Sequence, residues 1–461
     1  MLVANFLQAY IAVISATVIA NPIASLETRD FKIDTSKYCS APLLDSSKYL
    51  PVKDSELVFV QALFRHGART PAFYINSIKN DYFDCSNPLN VITDVDGASP
   101  PNASVSMKQT IISPVNAKKS FGYGYWKGNC VTGQLTDLGK AQAKSSGSSF
   151  RKIYVDKLGY INDKLQSNVN ISVRTTNIWR TKDTAMEFVS GVYPKDKRSS
   201  DAVITMGQLP QEIENMYDNT AICPKISEIA AKITKTAQYQ DYLKKRYTDM
   251  IRIAGIIGLN TTDVPTTKSL WLTLFDSIFN AKCTDKPYAC NSKGQCINDS
   301  DIELARDSYN FEQNYMRRDS IYAKEYTKLS TGPLLNDLLQ DIKSAIDEDK
   351  LLSASSKSSA KRLSIFSAHD ATISAVLSAL NSTSSNIGTP PFMTMVLFEI
   401  WKSKSGEYSV RIMQDNDVVK VNAIDGEAKP WCNMNSCKFE DYSKYVSKFV
   451  YDDYEKECYS K

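Results

Sequence analysis

The apolar run Leu57–Phe64 (LVFVQALF) has the length and composition of a strand, and it stops abruptly at Arg65-His66-Gly67-Ala68-Arg69-Thr70-Pro71. Gly67 and Pro71 mark that segment as a loop. The pattern recurs once. Arg362–Ser367 (RLSIFS) is a second short strand, and it runs into Ala368-His369-Asp370. The chain has two histidines, and these are both of them. In doubly wound sheets, ligands bind beyond the carboxyl ends of the strands. A lone histidine is commonly a packed core residue. Two of them, each in a loop after an apolar strand and each beside charge, point to a shared site.

The neighbours of these histidines say what the site would hold. Arg65 and Arg69 flank Gly67, and glycine lets backbone approach a ligand closely. Two guanidinium forks aimed at one point suit a tetrahedral oxyanion such as phosphate. An imidazole among such cations stays neutral to lower pH, and a neutral imidazole nitrogen is a competent nucleophile. His66 is the candidate nucleophile. Asp370 is the candidate general acid for a leaving alkoxide. Arg174 closes its own short strand, Val169–Arg174 (VNISVR), and is read either as a third anion clamp or as a surface or salt-bridge residue.

Strands alternating with helices predict an α/β fold: a mostly parallel central sheet flanked by helices, with a smaller, mostly α-helical inserted domain. Thr136–Tyr154 reads as a helix with Thr136 as its N-cap, and Thr181–Val192 as another. Residues 80–133 read as a long loop region, and Ser353–Lys361 as a surface loop. Met393–Trp401 and Tyr408–Met413 read as neighbouring strands. The expected division is a signal peptide at 1–20, a first α/β part at 21–210 with the nucleophile loop, a mainly helical insertion at 211–340, and a second α/β part at 341–461 with His369-Asp370.

Composition narrows the function classes. Over 461 residues, 55 basic and 51 acidic side chains leave a net charge of +4. That balance argues against nucleic acid or a membrane surface as the main partner. Ile11–Ala20 (IAVISATVIA) is apolar, with small-residue cleavage candidates at Ala20 and Ala24, and predicts a secretory signal rather than a stable membrane anchor. The ten cysteines contain no Cys-x-x-Cys pair, and with two histidines in the chain few metal ligands are on offer, so no metal and no cofactor are expected. Five Asn-x-Ser/Thr sequons, at Asn102, Asn170, Asn260, Asn298 and Asn381, agree with passage through an oxidising, glycosylating compartment. The expected location is secreted or in the lysosomal or endomembrane lumen.

Arg65-His66-Gly67-Ala68-Arg69-Thr70-Pro71 resembles the R-H-G-x-R-x-P signature of the histidine acid phosphatases, and His369-Asp370 resembles that family's later H-D motif. Gly133-Gln134-Leu135-Thr136 with Leu138-Gly139, and Val173-Arg174-Thr175-Thr176, resemble two further family segments. The resemblance covers roughly residues 55–458. It implies an acid phosphatase that cleaves phosphate monoesters through a phosphohistidine on His66, with Asp370 as the acid and without metal. It also implies phosphate binding by Arg65, Arg69, Arg174 and His369. Disulfides Cys432–Cys437 and Cys223–Cys458 are carried over in the same way; Met395 stands about where a further family cysteine is expected. Ala68, in place of the aspartate of the prostatic and lysosomal enzymes, is shared with phytases and with the lysophosphatidic acid phosphatase branch. The implied partner is a small phosphorylated substrate, a lysophospholipid among the candidates. Two alternatives stay open: a phytase or inositol phosphate phosphatase, and a catalytically silent secreted protein on the same fold.

Overall fold

The apolar runs become strands of one sheet. β1 (Ser55–Arg65), β2 (Ile171–Thr175), β3 (Met206–Gln208) and β4 (Leu363–Ala368) form its parallel part. β5 (Met395–Ser403), β6 (Tyr408–Gln414), β7 (Asp417–Val418) and β8 (Cys437–Lys438) form an antiparallel flank. This computed structural model describes residues 38–459 apart from 74, 76–81, 84, 86–88, 93–104, 108–126, 129, 167–170, 200–201, 353–360, 385–386 and 425–426. The expected signal peptide, the sequons at Asn102 and Asn170, most of the expected 80–133 loop and nearly all of Ser353–Lys361 lie outside the described residues.

The strand order is β7-β6-β5-β1-β4-β2-β3, with β8 paired to β6. β1 is the hinge of the arrangement. It runs parallel to β4, Val60 opposite Leu363 through Arg65 opposite Ala368, and antiparallel to β5, Phe64 opposite Met395. The expected α/β fold with its parallel centre is present, and the strands read as neighbours at 393–413 supply the antiparallel side.

Side-chain alternation along the strands fills two apolar layers. Phe59, Leu63 and Phe366 join Val376 of helix α8 (Asp370–Ala379) and Leu338 and Ile342 of α7 (Ala323–Leu351) on one face. Val60, Phe64 and Ile365 face Phe150 of α1 (Asp137–Arg151) and Phe188 of α2 (Trp179–Val192) on the other. Fully burying side chains of this size contributes about 1.5–3 kcal/mol each. A third apolar cluster joins α3 (Pro224–Thr234), α4 (Ala237–Ile256), α5 (Trp271–Cys283), α6 (Asp299–Asn314) and the start of α7 around Trp271. Helix α7 runs unbroken through position 340, sending Tyr326 and Leu329 into the helical cluster and Leu334 through Ile346 onto the sheet.

Disulfides join Cys39–Cys283, Cys85–Cys130, Cys223–Cys458, Cys290–Cys296 and Cys432–Cys437. Among the described residues, no helix is long and apolar enough to cross a membrane.

Candidate active site

Parallel pairing brings the two histidine loops together at the carboxyl edge of the sheet. Because Arg65 is opposite Ala368, the next residues on both strands leave the sheet side by side. The His66 N–H donates to the Ala368 carbonyl at 3.0 Å, and the Arg65 N–H to Thr394 at 2.9 Å. The rings of His66 and His369 lie 5.6 Å apart, edge to face.

The loop beyond His66 is fixed by backbone contact with the start of α1. A Cβ on Gly67 would sit 2.4 Å from the Gly139 carbonyl oxygen, and one on Gly139 would sit 2.1 Å from that of Ala68. Both positions therefore require glycine, which gives the Gly133–Gly139 segment its physical role. Thr136 caps α1 by accepting from the Gly139 N–H at 3.3 Å, and its hydroxyl donates to the Ala68 carbonyl at 3.0 Å. The Gly67 N–H donates to Thr184 of α2 at 3.2 Å, and the Ala68 N–H to Gln142 of α1 at 2.8 Å.

His66 is 1% exposed, and its Nδ1 lies 2.8 Å from the Gly67 carbonyl oxygen. A carbonyl only accepts, so Nδ1 carries the proton and Nε2 keeps its lone pair. Burial, then the charges of Arg180, Arg65, Arg69 and His369, hold His66 neutral well below the ordinary histidine range. His369 is held low by burial and by Arg180, with Asp370 opposing. Its Nε2 lies 3.0 Å from the Thr176 hydroxyl and its Nδ1 3.5 Å from Arg180. Arginine only donates, so Nδ1 is the acceptor.

Arg65 lies over the Phe392 ring, 4.2 Å from its centre, and donates to the Pro390 carbonyl at 2.6 Å. Its other terminal nitrogen pairs with Asp370 at 3.0 Å. Arg69 pairs with Asp276 of α5 at 2.7 Å. The Nε atoms of Arg65, Arg69 and Arg180 are buried without a hydrogen-bond partner among the described residues, which leaves donors for an anion. Asp370, the first residue of α8, keeps 28% of its side chain exposed and accepts from the Ala371 N–H at 2.8 Å. Burial pushes its carboxyl up, but Arg65, Arg69 and His369 together outweigh that and hold it at about 2.

Arg174 is not part of this cluster. Its neighbour Val173 packs into the layer against α1 and α2, so by alternation Arg174 faces the other side of the sheet. There its fork is taken by Asp337 of α7 at 2.8 Å, Glu214 at 3.3 Å and Asn215 at 2.6 Å. The third arginine beside the histidines is Arg180, in the first turn of α2. Burial and the charge of Arg69 lower it to about 9. The signal was six residues further along the same segment, Val173–Arg180 (VRTTNIWR), where a helix start turns a side chain back toward the sheet edge.

Residues 56–414, most of the chain, match the histidine phosphatase superfamily (branch 2). The chain belongs to that family. This histidine phosphatase is 21% identical to counting factor 60 of Dictyostelium discoideum, over 91% of its own length and 92% of that protein. It is 25% identical to human prostatic acid phosphatase, over 71% of its length and 79% of the relative. Among solved structures, the apo phytase of Hafnia alvei superposes with a TM-score of 0.58 at 15% identity, covering 87% of this chain and 98% of that one, a likeness of fold. The family makes the protein a phosphoric monoester hydrolase and implies a phosphohistidine route.

Proposed function

We propose that His66 is the nucleophile of a metal-independent acid phosphatase. Arg65, Arg69, Arg180 and His369 bind the transferred phosphoryl group, and Asp370 delivers the proton to the leaving oxygen. The observation that carries this reading is the tautomer of His66: Nδ1–H is spent on Gly67, so the free lone pair is on Nε2, inside a ring of arginines.

The Nε2 lone pair attacks phosphorus, and the P–O bond to the alcohol breaks in line. With Asp370 near 2, the free site holds no acidic proton of its own at pH 5. The proton therefore arrives on the monoanionic substrate. Phosphate oxygens take over the Arg65 donor, which frees Asp370 to accept that proton and pass it to the departing alkoxide. Water then attacks the phosphohistidine, with Asp370 as base, and releases phosphate. The arginines supply the positive charge that a metal supplies in other phosphoryl-transfer enzymes.

The substrate is a small phosphate monoester, with lysophospholipids and inositol phosphates the two classes to compare. Five paired disulfides support a secreted or luminal location. The decisive experiment is rapid acid-free quenching with labelled substrate, and then mapping of the label. Label on His66, absent from His66→Ala together with a loss of activity on the order of 10^4-fold or more, is the expected result. Label elsewhere, or loss of activity in chelator restored by a divalent ion, would overturn the reading. A simple monoester and myo-inositol hexakisphosphate, run side by side, separate the substrate classes.

A further inference from the structure

Asp276 belongs to α5, outside the sheet, yet it contacts the loop that carries two of the phosphate-binding candidates. Its side chain is 6% exposed. Oδ1 pairs with Arg69 at 2.7 Å, and Oδ2 accepts from the N–H groups of Ala72 at 2.8 Å and Phe73 at 3.3 Å. The other side of the Arg69 fork donates to the Thr70 carbonyl at 3.0 Å. Both terminal nitrogens of Arg69 are thus engaged, while its buried Nε has no partner among the described residues and each terminal nitrogen keeps a second N–H.

We propose that Asp276 is the positioning residue of the phosphate site: it holds Arg69 in place and sets the site's positive charge. The proposal rests on the reading of His66 and Arg69 above. Arg69 is buried among like charges, since Arg65, Arg180 and His66 all feel it as a cation. A buried guanidinium among other guanidiniums is pushed apart from them unless a carboxylate answers it. Asp276 gives that answer from a helix anchored to the chain's lead-in by the Cys39–Cys283 bond. The charges then divide the labour. Asp370 pairs with Arg65 and must give that contact up when it handles a proton. Asp276 has no such duty, being tied down by two backbone N–H groups. Three arginines against Asp370 and Asp276 leave the resting site one positive charge in excess, enough to attract a phosphate monoanion without trapping the product.

A purely structural role, anchoring residues 72 and 73, makes a different prediction. Asp276→Asn keeps an oxygen for those two N–H groups and removes only the ionic contact with Arg69. The experiment measures Asp276→Asn, Asp276→Glu, Arg69→Ala and the Arg69→Ala/Asp276→Asn double variant with a nitrophenyl phosphate. The expected result is a fall in kcat/KM of about 10- to 100-fold for Asp276→Asn, with most of it recovered in Asp276→Glu. The acid limb of its pH profile moves to lower pH, because the site has lost a negative charge. In the Arg69→Ala background the Asn substitution costs no more than about twofold, since the residue acts through Arg69. An Asn variant with wild-type kinetics, a lowered melting temperature alone, or an equal loss in both backgrounds overturns the proposal. Any of these leaves label on His66 in the trapping experiment, whereas failure of the underlying reading removes it.

Discussion

Asp370 at the sheet edge and Glu312 in the helical region are both carboxyl groups pressed upward by burial, and they end far apart. Asp370 is brought down to about 2 because Arg65, Arg69 and His369 overcome the burial. Glu312, 7% exposed on α6, meets no comparable cation among the described residues; hydrogen bonds from Ser269 and Tyr239 only partly offset burial, and it rises to about 7. Asp415, in the turn between β6 and β7, behaves like Glu312 and also rises to about 7, with a bond from the Met395 N–H as its main support. Membership of sheet or helical region is therefore not what separates them. The presence of arginine is: Arg65 and Arg69 stand beside Asp370 at the sheet edge.

The strongest way to break the contrast is to remove an arginine. Arg180→Ala should lower kcat/KM by about 10^2- to 10^3-fold, the loss expected for a donor to developing phosphoryl charge. Arg174→Ala should leave kcat/KM nearly unchanged and instead lower the melting temperature, because Glu214, fully buried, loses its cation. Equal kinetic losses in the two variants would return Arg174 to the site.

Next in size is the acid. Asp370→Asn should cost about 100-fold on an alkyl phosphate and much less on a nitrophenyl phosphate, whose leaving group departs as a stabilised anion. Wild-type kcat/KM should decline above about pH 6, where phosphate monoesters lose their second proton. Stopped assays across pH 3–8 with both substrates test this; a profile still rising at pH 7 would show that the proton comes from elsewhere.

The last effect is on stability. Glu312 is raised in the folded protein from 4.5 to about 7, so the fold holds a proton that the unfolded chain releases earlier. Its contribution is full below pH 4.5, falls as pH rises toward 7 and levels off above. The swing is roughly 3 kcal/mol at most. Asp415 adds a slope of the same sign. Asp370 has the opposite one, its contribution lost as pH falls through about 2. Urea midpoints at pH 4.5 and pH 8 should show the protein more stable in acid, and Glu312→Gln should flatten the difference. An unchanged slope in that variant would mean that Glu312 is ionised throughout.

Much of this was legible in the chain. β1, β2, β4, β5 and β6 are local apolar runs bounded by turn residues, and His66, His369, Arg65, Arg69 and Asp370 cluster at the ends of two of them. Legibility failed where faces and distant partners decide. Arg174 and Arg180 share one short segment, and only the side of β2 on which Val173 packs tells which arginine meets the histidines. Asp276 has no local mark at all: its meaning lies in a contact between α5 and a loop 200 residues earlier. Helix α7 serves both apolar clusters, so no change of composition announces where one gives way to the other.

The bond between Cys223 and Cys458 carries a consequence for how the protein is made. The partners are 235 residues apart. At the ribosome's pace of about 5–20 residues per second, Cys223 waits roughly 10–50 s for its partner to be synthesised. Cys39 waits as long for Cys283, 244 residues later. Cys85 and Cys130, 45 residues apart, have both been made before Cys223 is. The last helix, Tyr454–Tyr459, delivers Cys458 to a position where Cys223 is wholly buried. The Cys223–Cys458 bond can therefore close only after the C-terminal segment has been made, which puts it last in the order of synthesis.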